Sequence, residues 1–293
     1  MSRGRLRGQC IAARPWRVIR ALGRAARLVG ILAAATWDHY RRGRSSRHLD
    51  RAGGSAWLTH WSRAALRVLG VSVDAAGRPP EQGLLVANHL GYLDVLVLAS
   101  LRPVTFVAKS EVARWPLFGA FARWAGTLFL ERAQRGALPG AVEAVAQRLV
   151  AGEVVVVFPE GTSTDGTEVR PFHPPLFRAA ASPPRPVTPA RLDYRAVDGD
   201  VARDVCFWGD MLLLPHLWRL LQVRSVHARV SFGESPLHSA DRKWLARASR
   251  ACIVALEAPS VPETSGSERP QHRRFGALVA EKAGVGFHVG GGV

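Results

Sequence analysis

The two side chains of this sequence best suited to acid–base chemistry, His89 and Asp94, sit in one short run, NHLGYLD at 88–94. The run follows GLLVA (83–87), an apolar stretch that reads as a strand. The histidine therefore falls at the carboxyl end of a strand, where α/β folds place their sites. The residues between the pair include a glycine and permit a tight turn that returns the carboxylate onto the imidazole. A carboxylate on one ring nitrogen fixes the tautomer and steadies the imidazolium, leaving the other nitrogen to accept a proton. The chain holds no GxSxG elbow, so the histidine itself would deprotonate an acceptor hydroxyl. Taken alone, the pair equally describes a structural histidine capped by an aspartate.

Three more segments end apolar runs in polar or turn residues. GTLFLER (126–132) finishes on Glu131 and Arg132, FPEGTSTDG (158–166) carries Glu160, Gly161 and Thr162 in a turn, and PVTP (186–189) follows. In this order the segments resemble the lysophospholipid acyltransferase family, typified by 1-acylglycerol-3-phosphate acyltransferases, with its blocks NHxxxxD, GxxFxxR, FPEGT and a Pro-rich strand. The resemblance spans residues 83–190, with flanking similarity to about residue 240. It implies that His89 is the general base and Asp94 its orienter. Arg132, together with Lys109 in the AKSE segment, would contact an anionic headgroup, and Glu160, Gly161 and Thr162 would shape the acceptor pocket. Pairing of Glu131 or Glu160 with Arg132, and exposure of Lys109 at a strand end, account for the same residues without a function. The implied donor is an acyl-carrier-protein or coenzyme A thioester. The implied acceptor is a monoacylated membrane lipid of the 1-acylglycerol-3-phosphate type, with no metal or redox cofactor. One departure bears on the acceptor: Ser163 stands where many phosphatidate-forming members carry an arginine, which removes a bidentate phosphate clamp. That stretch, together with FWGDM at 207–211, is similar to the branch that acylates lyso-ornithine lipid, the alternative acceptor.

These residues need a scaffold, and the apolar patterning supplies one. Strands are expected at 83–87, 104–108, 126–130, 153–158, 186–194, 205–208 and 227–233, and helices at 93–101, 115–124, 139–150 and 239–258, the last capped by Ser239. Alternating β and α units with strands apolar on both faces predict an α/β domain, a largely parallel sheet flanked by helices, over residues 70–258. Residues 259–293 lack hydrophobic periodicity and read as a mobile tail.

Before this domain, residues 1–69 read as basic amphipathic helices and a linker. The chain holds 40 basic and 23 acidic residues, and its basic excess concentrates in the first fifty positions. Arg17, Arg20, Arg24 and Arg27 line one face of a helix at 14–40, with an apolar stripe through Val18, Leu22, Ala25 and Val29. A second amphipathic segment covers 57–69. Such a pattern predicts a helix lying on an anionic membrane surface, at the cytoplasmic face of the cell membrane, peripheral or monotopic. The other reading is a basic helix packed on its own protein. The apolar run 28–37 is too short to span a bilayer and lacks the cleavage site of a signal peptide. A nucleic-acid partner would call for aromatic and basic residues interleaved on one surface, whereas this charge tracks an apolar stripe. A non-catalytic membrane- or nucleic-acid-binding protein would leave the four ordered blocks without a reason. His173, His216 and His227 have no ligand-like spacing, and Cys10, Cys206 and Cys252 form no metal or disulfide pattern.

Overall fold

The structure, a computed structural model, describes residues 15–45, 51–130 and 137–256. Among these residues one sheet contains seven strands: β1 (Val71–Ala76), β2 (Gly83–Ala87), β3 (Thr105–Lys109), β4 (Leu128–Leu130), β5 (Val154–Val157), β6 (Val187–Ala196) and β7 (Val226–Phe232). Their spatial order is β1-β7-β6-β2-β5-β3-β4. All neighbours are parallel except β6 and β7, which pair antiparallel from Ala190↔Phe232 to Ala196↔Val226. The expected α/β architecture is the one observed. Both central strands, GLLVA and VVVV, are buried throughout, as strands covered on both faces must be.

Alternation along the strands divides the core in two. Leu85, Ala87, Val154, Val156, Leu192 and Tyr194 face one layer, which includes α1 (Pro15–Ser45), α2 (Arg51–Leu69), α3 (Leu93–Leu101) and α7 (Leu213–Gln222). Leu84, Val86, Val155, Val157 and Val187 face the other, with α5 (Ala137–Val150), α6 (Arg178–Ala181) and α8 (Arg242–Ala255). The short α4 (Phe118–Trp124) packs Phe121 and Trp124 against Trp57 of α2, with Trp124 stacked on His39 of α1 at 4.1 Å.

Several sequence expectations differ from this. VCFW at 205–208 is not a strand: a π-helical turn, Val201–Val205, precedes it, and Cys206 and Phe207 donate to Val201 O and Leu90 O outside any ladder. The run is apolar because Val205 and Cys206 are buried, and burial alone does not select a strand. The helix expected at 115–124 begins at Phe118, after a 3₁₀ turn over Ser110–Arg114. Asp241 rather than Ser239 caps α8, accepting from the Lys243 N–H at 2.7 Å. Strand β1 was not expected; its six residues hold Asp74 and gain their place through a parallel partner more than 150 residues away.

The largest correction concerns the arginine face of α1. Arg20 and Arg24 point inward and donate to the carbonyls that end α7: Arg20 to Gln222 O at 3.1 Å, and Arg24 to Leu221 O at 3.3 Å, Val223 O and Arg224 O at 2.8 Å. Arg17 and Arg20 also hold Asp198. Cations on the orphan carbonyls of a helix end satisfy acceptors and oppose the helix dipole. Three of the four stripe arginines are thus committed within the protein, while Arg27 stays exposed. Of the apolar stripe, Leu22 and Val29 are exposed while Val18 and Ala25 are half-buried, Ala25 against the core; Ile19, Trp37 and Tyr40 add to the apolar groups on the outer side of α1. Among the described residues no helix is long and apolar enough to cross a membrane.

Arg24→Met keeps the aliphatic stem and removes the bonds to α7. It should lower unfolding free energy in urea by about 1.5–3 kcal/mol. Arg27→Met, on an exposed side chain, should stay within about 0.5 kcal/mol of the wild type.

Candidate active site

The parallel strands bring the ends of β2, β3, β4 and β5 to one edge of the sheet, and the loops leaving that edge carry the motif residues. Leaving β2, Asn88 ties the strand end to β6: its amide accepts from Leu192 N at 2.7 Å and donates to Leu192 O at 3.0 Å. The chain then turns through Gly91, at φ +152°, and enters α3 with Asp94 in its first turn. A Cβ on Gly91 would lie 2.8 Å from the backbone nitrogen of Phe207, so this close approach requires glycine.

Asp94 is 0% exposed. Its Oδ2 accepts from His89 Nδ1 at 2.8 Å, Leu90 N at 2.6 Å and Gly91 N at 3.0 Å, and its Oδ1 accepts from the Tyr194 hydroxyl at 2.7 Å. Since the backbone amides make this carboxylate an acceptor, the shared proton belongs on Nδ1, and Nε2 is the basic nitrogen of the ring. The imidazole is partly exposed and stacks on Phe158 at 4.1 Å. Phe158 in turn lies parallel to Phe106 at 6.4 Å.

The backbone of His89 is held from both sides by the loop after β5. Glu160 Oε1 accepts from His89 N at 2.8 Å, and Thr164 N donates to His89 O at 2.9 Å. Glu160 Oε2 accepts from Arg170 N at 2.9 Å, so the buried carboxylate joins two loops. Burial raises its pKa, and the two amide donors partly offset that. On the β6 side of Asn88 a cavity of about 310 Å³ opens beneath the 165–169 loop. Its two arginines are already engaged, Arg191 with Asp193 and Arg250 with the carbonyls of Val169 and Arg170.

This arrangement can take a proton at Nε2 and hold the resulting imidazolium against a fixed carboxylate. Comparison with known proteins gives it a context. A family model described as Acyltransferase matches residues 73–193. The lyso-ornithine lipid O-acyltransferase of Pseudomonas aeruginosa is 37% identical over 259 residues, covering 83% of this chain and 96% of that one. The 1-acyl-sn-glycerol-3-phosphate acyltransferase of Neisseria meningitidis is 30% identical, covering 70% and 82%. This chain belongs to the acyltransferase family. Its fold is that of the 1-acyl-sn-glycerophosphate acyltransferase of Thermotoga maritima, at TM-score 0.58 and 18% identity over 86% of this chain and 100% of that chain.

Within this acyltransferase the other sequence-derived residues are placed unequally. Lys109 ends β3, exposed, opposite Leu130 of β4. Arg132 and Glu131 lie outside the described residues. Gly161, at φ +73°, and the exposed Thr162 continue the turn after Glu160, whose own carboxylate faces backbone amides and not an open pocket. Ser163 is partly exposed beside them.

Sequence reasoning missed two residues that hold the candidate site together. Tyr194 is the fourth donor to Asp94; burial first, then the neighbouring carboxylate, raises its pKa well above the usual value, so it remains a donor. His216, buried in α7, meets the Tyr92 hydroxyl at 3.0 Å, and Phe207 packs against both rings. Burial lowers the His216 pKa, which keeps that ring neutral at neutral pH. A signal for Tyr194 was present: on the buried stripe Ala190, Leu192, Tyr194 it alone carries a polar tip.

Tyr194→Phe should therefore lower kcat about tenfold or more, as expected for losing one charge-assisted hydrogen bond, with KM for both substrates unchanged. Steady-state kinetics beside a thermal melt separate this loss from unfolding. Glu160→Gln would present an amide N–H₂ to a backbone donor, and should cost about 1–3 kcal/mol in urea denaturation.

Proposed function

We propose that this acyltransferase moves a fatty-acyl group from a thioester onto the hydroxyl of lyso-ornithine lipid at a membrane surface. The His89–Asp94 bond supports the chemistry. His89 Nε2 removes the acceptor's hydroxyl proton as the oxygen attacks the thioester carbonyl; the C–S bond then breaks, and the imidazolium proton passes to the departing thiolate. Asp94 holds the ring and steadies its positive form throughout. The donor is acyl-carrier protein or coenzyme A carrying the acyl chain. Lys109, at the end of β3, and Arg132 are assigned to the headgroup. Gly161 and Thr162 are assigned to the wall of the acceptor pocket, with Glu160 holding the loop that bears them.

The observation that carries the acceptor is the ordering of the relatives. Four lyso-ornithine lipid O-acyltransferases are 36–38% identical to the chain, against 30–31% for the two Neisseria 1-acyl-sn-glycerol-3-phosphate enzymes. Ser163, in place of a phosphate-holding arginine, agrees with that ordering. The relatives favour this acceptor over the 1-acylglycerol-3-phosphate type inferred first from the sequence. We assign catalysis to residues 70–258 and membrane contact to 1–69, through the exposed apolar residues of α1 (Ile19, Leu22, Val29, Trp37 and Tyr40) and the exposed Arg27. The protein then sits peripherally on the cytoplasmic face of the cell membrane.

Labelled acyl donor offered with lyso-ornithine lipid and 1-acylglycerol-3-phosphate should give the higher kcat/KM on the former. His89→Ala should abolish turnover, and Asp94→Asn should lower it about 10²–10⁴-fold. Near-normal turnover by His89→Ala would remove the general-base mechanism; a wild-type preference for the phosphate lipid would remove the acceptor assignment.

A further inference from the structure

Strand β7 runs opposite to its neighbour β6, so its first residue, Val226, pairs with Ala196 at the edge where β6 ends. The helix leading into it, α7, therefore lies over the same edge as His89. Its links to that edge are direct: Phe207 N donates to Leu90 O at 2.8 Å, and His216 meets the hydroxyl of Tyr92. A surface helix ordinarily turns polar residues outward. This segment turns out Trp208, Leu212, Leu214 and Trp218, with Leu212 and Leu214 72% and 75% exposed. Arg219 and Arg224 are exposed beside them.

We propose that the outer face of α7, with the turn before it, is a second bilayer contact that sets the His89 edge against the lipid surface. This rests on the reading of a membrane-lipid acceptor. A lipid surface suits the face better than a second copy of the chain because apolar and cationic groups occur side by side, as at an anionic interface. Arg20 and Arg24 also dock α1, whose outer side exposes Ile19, Leu22 and Val29, on the end of α7. Trp218 has an apolar body and a polar N–H suited to the headgroup level, and Trp208, whose N–H donates to Ala202 O at 2.9 Å, adds apolar ring surface beside it.

The test uses the full chain and vesicles of phosphatidylcholine and phosphatidylglycerol in equal parts. Leu214→Glu and Trp218→Glu should each lower vesicle partition about tenfold or more, by removing buried apolar area and adding a negative charge. Turnover on a short-chain, monomerically dissolved lysolipid should be unchanged. Val150→Glu makes the same kind of change on an exposed residue at the far end of α5, at the opposite edge of the sheet, and should leave partition unaltered. Trp218→Phe, which preserves the fold, should reduce the quenching of protein fluorescence by brominated lipid. Wild-type partition in both glutamate variants, equal loss with Val150→Glu, or unchanged quenching in Trp218→Phe would overturn the proposal. So would a wild-type dimer dissolved by Leu214→Glu with vesicle binding intact, since the face would then belong to a second copy. If partition falls as expected but lyso-ornithine lipid is not acylated, the bilayer contact stands and the acceptor reading falls.

Discussion

A carboxylate with no solvent exposure has to be satisfied from within, and Asp94 organises this protein around that requirement. Burying an ionised group without partners is among the costliest changes a fold can make. Two amide N–H groups, an imidazole and a phenol meet the demand. Each draws a different part of the chain inward. The amides require the turn through Gly91, which only glycine fits against Phe207; the phenol requires the far end of β6; the imidazole must leave β2 at the correct angle. The geometry that meets this demand also fixes the histidine tautomer. Stability and the disposition of the base thus depend on the same four hydrogen bonds.

The His89 peptide is then clamped separately. The FPEGT block, which sequence resemblance assigns to the acceptor pocket, places its glutamate behind the histidine, on backbone donors of two loops. Gly161, Thr162 and Ser163 emerge from that anchored residue. A rigid attachment immediately before a pocket-lining turn makes substitutions in the turn a matter of specificity, because they do not disturb the base. On the proposed reading, Ser163 in place of an arginine alters what the pocket holds while the bonds of Glu160 remain.

Much of this was legible in the sequence, to an extent set by how local each signal is. His89 and Asp94 lie on one turn, and strands β2 and β5 announce themselves by continuous apolar runs between turn residues. Tyr194 is a hundred positions from its partner: its polar tip on a buried stripe marks the need for one, but nothing near it in sequence says which. VCFW failed for the opposite reason: its composition suits a strand, but its amides are taken by Val201 and by the His89 loop. The arginine face of α1 was read correctly as a face and assigned the wrong partner. Guanidinium groups bind helix-end carbonyls as readily as lipid phosphates, and periodicity does not distinguish the two.

That misassignment has a physical consequence for how the molecule meets a membrane. With three stripe arginines committed to Asp198 and the end of α7, electrostatics fasten α1 to the rest of the fold, and Ile19, Leu22, Val29, Trp37 and Tyr40 stay exposed on its outer side. On the proposed reading, attraction to a membrane surface would then come mainly from apolar burial, which salt screens little, with residual exposed cations adding a smaller part. The same contacts make α1 and α7 one unit. Because His216 of α7 holds Tyr92 inside the NHLGYLD turn, that unit is also in contact with the loop that carries the base. A lipid surface engaging these helices would therefore meet the protein at the edge where the base stands, the geometry required of an enzyme whose acceptor never leaves the bilayer.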